Sequence, residues 1–285
     1  MAVAMCGSVC FVQTTLLTSV GRPGSVQTLL AHAEANTRIR TMSKHDVARA
    51  AARAQQLPIW SGPVTAEPLS GGITNLNFKV VDAERPFFVR VGENFPVHLI
   101  QRDQEYAATR AAWAAGVAPE VVYTGEGAMV LRFVEGRTLD EHSVRDPDML
   151  ARIVPLIRQC HRTVPEHLRG PALMFWVFHA IRHYAGELRE RGSPYDDKLD
   201  AFRRQAVELE QVIGRVEIVF GHNDLLPANF IDDGERLWLI DYDYAGFNSP
   251  LFDLGGLASN AELPPWLETE MFTQYYGNPP DAALW

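Results

Sequence analysis

At 285 residues with 47% apolar side chains, the chain is long enough to bury a sizeable core as one large domain or two modest ones. Its formal net charge of −9 argues against nucleic acid or an anionic membrane surface as partner, since Lys and Arg would have to dominate one face, and favours a small cationic partner instead. Three cysteines without paired spacing leave no zinc site or disulfide framework, and no apolar run approaches the ~18 residues of a membrane span, so a soluble cytoplasmic protein is expected.

Residues 1–42 are rich in Ser, Thr, Ala and Val and lack a clear period, and no basic residue precedes Arg22 as a signal peptide would require. They are read as a disordered extension or an early start. Folded structure is expected from "MSKHDVARAAARA", where Ser43 can cap a helix and Asp46 holds the capping-box position. From Val64 the texture changes to short strands, "VTAEPL", "ITNLNFKVV" and "PFFVRV", with "SGG" and "DAERP" as turns, which predicts an antiparallel meander. An Ala-rich helix carrying Glu105 follows from His98 to Ala115, then two strands, "EVVYTG" and "AMVLRFVEG", joined by a turn at Gly125 and Gly127. Beyond Gly136 three helical patterns are expected, "PDMLARIVPLIRQCHRTV", "ALMFWVFHAIRHYAGELRERG" and "KLDAFRRQAVELEQVIG", with Pro155 kinking the first or marking its true start. Two strands, "VEIVF" and "RLWLIDYDYAG", then flank the loop "GHNDLLPANFI".

That loop carries the chemistry. His222-x-Asp224 followed by Asn229 has the offsets of a phosphoryl-transfer catalytic loop, in which the aspartate orients and deprotonates the attacking hydroxyl and the asparagine holds magnesium. A short loop can aim one oxygen at the nucleophile and another at the metal that neutralises charge on the leaving side. Asp241, twelve residues after Asn229 at the end of an apolar run, supplies a second metal carboxylate, with Asp243 pointing the same way if the strand persists. Each residue alone has a bland reading, the Asp as a turn residue and the His as a structural group; the combination is what points to a site. Upstream, "LSGGITNLNFKV" is a strand, small turn and strand able to lay N–H groups over phosphates, while a Walker motif is absent. Arg90, flanked by apolar neighbours in "FFVRV", needs a partner, and Glu105 with phosphate oxygens would serve.

The segments "LSGGITNLNFKV", "FFVRVG", "QRDQEYAATRAAWAAGVAP", "LRFVEGRTL", "GHNDLLPANF" and "LIDYDYAGFNSPLFDLGG" together resemble the choline/ethanolamine kinase branch of the aminoglycoside phosphotransferase superfamily, from about residue 43 onward. The resemblance implies an α+β, two-lobed protein-kinase-like fold with a small antiparallel-sheet N-lobe (43–135) and a mainly helical C-lobe (136–285). It implies an ATP- and magnesium-dependent kinase for a small amino alcohol, with Asp224 as catalytic base, Asn229 and Asp241 as metal ligands, and His222 and Asp253 bracing the catalytic loop. Nucleotide would meet Ser70, Gly71, Gly72, Ile73, Thr74, Asn75, Arg90 and Glu105, and a hinge of Arg132, Phe133 and Val134. For the acceptor, Asp243, Tyr244 and Asn260 are the candidates. Asn260 departs from the family, which carries a glutamate seven residues after the bracing aspartate, and only 42 residues follow Asp243, so a C-terminally truncated acceptor pocket is expected. Aminoglycoside, thiamine or sugar kinases share the fold, and a non-catalytic nucleotide-binding module is the reading from another class.

Overall fold

The computed structural model describes residues 44–69, 75–125 and 127–279. Calls on residues 1–42, on Ser43 as a cap and on Ser70, Gly71, Gly72, Ile73 and Thr74 lie outside the described residues.

Helix α1 (Lys44–Gln55) packs on a five-stranded antiparallel sheet made of β1 (Ala66–Pro68), β2 (Leu76–Asp82), β3 (Arg85–Val91), β4 (Val121–Gly125) and β5 (Ala128–Arg132). The sheet order is β1-β2-β3-β5-β4, so the expected meander extends into a second hairpin that docks on β3. Period-two alternation in β2 and β3 sends Phe78, Val80, Phe87, Val89 and Val91 to one face, where Ala50, Ala54 and Leu57 cover them. Helix α2 (Arg102–Ala114) begins later than the sequence suggests, because Pro96–His98 forms a separate 3-10 turn closed by Leu99 at φ 60°. The small residues Ala108, Ala111 and Ala112 on α2 allow it to approach the C-terminal lobe closely and join its core.

That lobe is built around α4 (Pro147–His167), reached through β6 (Arg137–Thr138) and the short α3 (Glu141–Val144). Asp146 caps α4 by accepting from the Asp148 N–H at 3.0 Å, and Pro147 sits where no helical donor is needed. Its buried stripe, from Leu150 through Ile153, Val154, Ile157, Cys160 and His161 to Val164, recurs at three- and four-residue spacing. Pro155 does not mark the start of the helix, which runs unbroken from Pro147 to His167. It lies on the exposed face, where the Ala151 carbonyl it leaves without a helical donor can meet water.

A second correction concerns the run from Ala172. Its first residues form β7 (Leu173–Met174), and only Val177–Glu190 is helix, α5, which packs with α6 (Asp196–Ile213). A continuous apolar run cannot tell strand from buried helix by period alone. Strands β8 (Val219–Gly221), β9 (Phe230–Asp232), β10 (Leu237–Leu239) and β11 (Gly246–Asn248) make two small sheets, ordered β10-β9-β6 and β7-β11-β8. Helices α7 (Pro250–Asn260) and α8 (Pro265–Tyr276), neither located from periodicity, close the lobe. No helix among the described residues is long and apolar enough to cross a membrane.

Gly246 pairs with both Gly221 and Leu173, and a Cβ at this position would lie 2.2 Å from the Leu173 carbonyl oxygen. Because the obstacle is backbone, Gly246→Ala must part β7 from β11, and a loss of about 2 kcal/mol or more is expected. Chemical denaturation of the two proteins measures it; an unchanged midpoint would mean that β7 is free to shift.

Candidate active site

Residues 222–229 connect β8 to β9, and their shape is set from below by Asp253 in the first turns of α7. Its buried carboxylate accepts from two successive loop N–H groups, His222 to Oδ2 and Asn223 to Oδ1, each at 2.7 Å. His161 from α4 bonds Oδ2 through Nε2 at 2.8 Å, and the Tyr275 hydroxyl of α8 meets His161 Nδ1 at 2.6 Å. Burial pushes the Asp253 carboxyl up, but the hydrogen bonds from His161 and from the loop N–H groups outweigh it and hold the group below the usual carboxylate range. Gly221 leaves the room this needs, since a Cβ there would stand 2.8 Å from Asn223 Oδ1 and 3.2 Å from Asp253 Oδ2.

Asn223 is buried at φ 64°, a left-handed conformation that asparagine adopts more readily than most residues. Its Nδ2 donates to the carbonyls of Tyr244 (3.0 Å) and Gly246 (3.2 Å), and its Oδ1 accepts from Asn248 Nδ2 at 3.1 Å. Leu225 is buried in the core while Asp224 beside it is half-buried, so the anchored neighbour presents the aspartate toward the cleft side. Asn229 Nδ2 donates to the Asp224 carbonyl at 2.8 Å, which directs the amide oxygen away from the loop backbone. That oxygen is the atom a hard cation would use.

Pairing of Leu239 with Phe230 continues one residue further, where the Ile240 N–H donates to the Asn229 carbonyl at 3.0 Å. Asp241 is therefore delivered beside Asn229. His222 reinforces the placement by donating from Nε2 to the Ile240 carbonyl at 2.9 Å; burial pushes its pKa down, so the ring is neutral there. The strand does not persist through Asp243 as expected. It ends at Leu239, and Asp241 turns to φ 71°, a strained conformation of the kind held at functional sites.

That turn brings Asp241 and Asp243 to one point by a different route from a strand. Arg90 Nη1, from β3, donates to Asp241 Oδ1 at 2.7 Å, Asp243 Oδ1 at 2.9 Å and Glu105 Oε1 of α2 at 2.9 Å. Burial alone would lower the Arg90 pKa, but the charges of Asp241, Asp243 and Glu105 outweigh it and hold the guanidinium well above its ordinary value. Burial raises the Asp243 carboxyl, with the Glu105 charge adding to the effect. A second buried arginine, Arg102, binds Glu105 and also Asp243 (3.0 Å), and Asn75 donates to Asp243 Oδ2 at 2.9 Å.

The structure thus brings together Asn75, Arg90, Glu105, Asp241 and Asp243 in one cluster, and His222, Asp224 and Asn229 in a loop braced by Asp253. Of the hinge residues, Arg132 lies over the Phe87 ring (5.0 Å) and pairs with Glu120, while the Phe133 N–H bonds the Pro86 carbonyl and its ring faces Lys79; Val134 follows in irregular backbone. The acceptor candidates are placed otherwise than expected. Tyr244 is buried against Phe175, Ile100 and Phe252, Asp243 is engaged by two arginines and Asn75, and Asn260 donates to the Leu225 carbonyl at 3.1 Å. Each of the three serves internal packing or bracing. Sequence reasoning passed over Arg102, His161, Asn223 and Tyr275. Arg102 stands in the "QRDQE" stretch three residues before Glu105, a spacing that puts both on one helix face and could have flagged it; the others have partners too distant in sequence.

The Asn229 amide oxygen and the Asp241 carboxylate form a hard, all-oxygen donor pair. Among the described residues no group of three or more His, Cys, Asp or Glu could hold a metal by themselves. A two-ligand site suits magnesium, which keeps several waters and completes its shell with substrate phosphates.

The family model for choline/ethanolamine kinase matches residues 66–263. A probable ethanolamine kinase of Arabidopsis thaliana is 30% identical over 206 residues, covering 67% of this chain and 54% of its own, so the chain spans about half the length of that relative. A choline/ethanolamine kinase family protein from Mesorhizobium loti is 29% identical with a TM-score of 0.62, over 84% of this chain and 78% of that one. A structure of LicA in complex with AMP shares the fold at 24% identity and a TM-score of 0.67, over 85% and 82%. With the family model spanning both the five-stranded sheet and the catalytic loop, the chain belongs to the choline/ethanolamine kinase family.

Proposed function

We propose that the protein transfers the γ-phosphate of ATP, with magnesium, to the hydroxyl of a small amino alcohol of the choline or ethanolamine class. The observation that carries the reading is the pair of bonds by which Asn229 holds the Asp224 carbonyl and the Ile240 N–H holds the Asn229 carbonyl, with Asp241 next in the chain. The names of the relatives support the acceptor class, and the AMP complex of LicA supports an adenine nucleotide.

In this reading Asp224 accepts a hydrogen bond from the acceptor hydroxyl and takes its proton as the oxygen bonds to the γ-phosphorus, while the bond to the β-phosphate oxygen breaks and ADP leaves. Asn229 and Asp241 would hold magnesium, which when bound neutralises charge on the phosphate oxygens. Arg90, from the opposite lobe, faces the phosphates and supplies a fixed positive charge. Asp253 holds the loop N–H groups so that Asp224 does not have to be reorganised during the reaction.

Asp224→Asn is expected to lower kcat by about 10²- to 10⁴-fold, measured as ATP-dependent phosphorylation of choline and ethanolamine. Its affinity for the magnesium–nucleotide complex should stay close to wild type. Full turnover in that variant would remove Asp224 from the chemistry, and nucleotide binding by the wild type with no acceptor phosphorylated would select the non-catalytic alternative.

Asp241→Asn leaves a weaker metal ligand and should raise the magnesium concentration for half-maximal activity by about tenfold. Titration of magnesium into metal-stripped enzyme reads this directly; an unchanged midpoint would place the metal elsewhere.

A further inference from the structure

Arg102 has no part in the chemistry described so far, yet it is 5% exposed and its side chain reaches four separate segments. Nε donates to the Glu93 carbonyl at 3.0 Å, Nη1 to Asp243 Oδ1 at 3.0 Å and to Glu105 Oε2, and Nη2 to Asn75 Oδ1 at 2.5 Å. Asn75 closes the circuit by donating to the other Asp243 oxygen at 2.9 Å. Every nitrogen of this guanidinium is spent on the protein itself.

Arg90 is bound differently. Its hydrogen bonds to described residues run through Nη1, shared among Glu105, Asp241 and Asp243, and through a long 3.4 Å contact from Nε to Asn77. One Nη1 carries two hydrogens, so three carboxylates cannot all be served by straight bonds at once. The cluster as a whole sets two guanidinium groups against three carboxylates. Deleting Arg102 would leave Arg90 as sole counter-charge for all three, in a site where an uncompensated buried charge is costly.

We infer that Arg102 is a positioning residue for the nucleotide site: it supplies the permanent counter-charge for Glu105 and Asp243, and so leaves Arg90 free to exchange carboxylate for phosphate. The inference rests on the proposed reading of Arg90 as the phosphate-facing cation. It assigns the two arginines different duties, one as a fixed strut and the other as an exchangeable contact. It also gives Asn75 a role, because the bond from Arg102 ties the residue just after the nucleotide loop to the segment that carries Asp241 and Asp243.

Calorimetric titration of magnesium–ADP into the full chain tests this with Arg102→Gln, Asp243→Asn and the double variant, each checked for folding by circular dichroism and thermal melting. Arg102→Gln should bind about tenfold more weakly than wild type. Removing one carboxylate as well restores the charge ratio, so the double variant should return to within about threefold of wild type. Asp243→Asn alone should bind at least as tightly as wild type. Binding by Arg102→Gln equal to wild type would overturn the inference, and so would a double variant as weak as Arg102→Gln, since that pattern marks a packing strut without an electrostatic duty. If Arg102→Gln does not fold, Asp243→Asn decides, with weakened binding counting against the inference. A wild-type chain that binds no magnesium–ADP overturns the proposed nucleotide site itself, and the inference with it.

Discussion

One guanidinium nitrogen, Arg90 Nη1, stands where β3, α2 and the segment after β10 meet, and three carboxylates converge on it within 2.7–2.9 Å. Asn75 and Arg102 add bonds from the same side to Asp243. Buried charge of this kind is a poor source of net stability, because desolvation offsets most of the attraction. Its value lies in specificity of placement. A cation and three carboxylates that must satisfy one another leave few alternative arrangements of the two lobes, and the arrangement they select puts Arg90 beside Asp241, the pair that the proposed function assigns to phosphate and metal.

Beneath the cluster, a second buried carboxylate does for the catalytic loop what Arg90 does for the lobes. Asp253 receives both loop N–H groups and is itself backed by His161 and Tyr275, so that α4, α7 and α8 all contribute to the position of Asp224. The two systems share an element: Ile240 is bonded to His222 and to Asn229 on one side and precedes Asp241 on the other. One side chain–backbone and one backbone–backbone hydrogen bond therefore connect the two systems. This is a site whose first contacts are held by a connected set of supporting bonds.

The strands of the sheet lobe were legible because apolar alternation and Gly or Asp turns punctuate residues 64–132 at short range. The loop chemistry was legible because His222, Asp224 and Asn229 lie within one short segment and their spacing is itself the signal. Legibility failed where the deciding partner is remote. Residues 173–174 read as helix until β11 is known to lie beside them, Pro155 was one candidate for the start of a helix that in fact begins at Pro147, and Tyr244 read as an acceptor contact while Phe175 and Phe252 enclose it.

By itself, then, the order of residues made legible the antiparallel meander, the spacing of His222, Asp224 and Asn229 and the need of Arg90 for a partner, features written in local period, local spacing or the cost of an unpaired charge, while the family resemblance carried the fold class. Tertiary structure alone decided that Arg90 meets Asp241 and Asp243 as well as Glu105, that Arg102 shares the load, and that Asp243 and Asn260 are bonded within the protein. The physical reason is range. Helix period, turn chemistry and loop spacing act over a few residues, whereas a buried ion cluster is solved only when segments separated by 141 to 168 positions are packed together and every donor must find its acceptor.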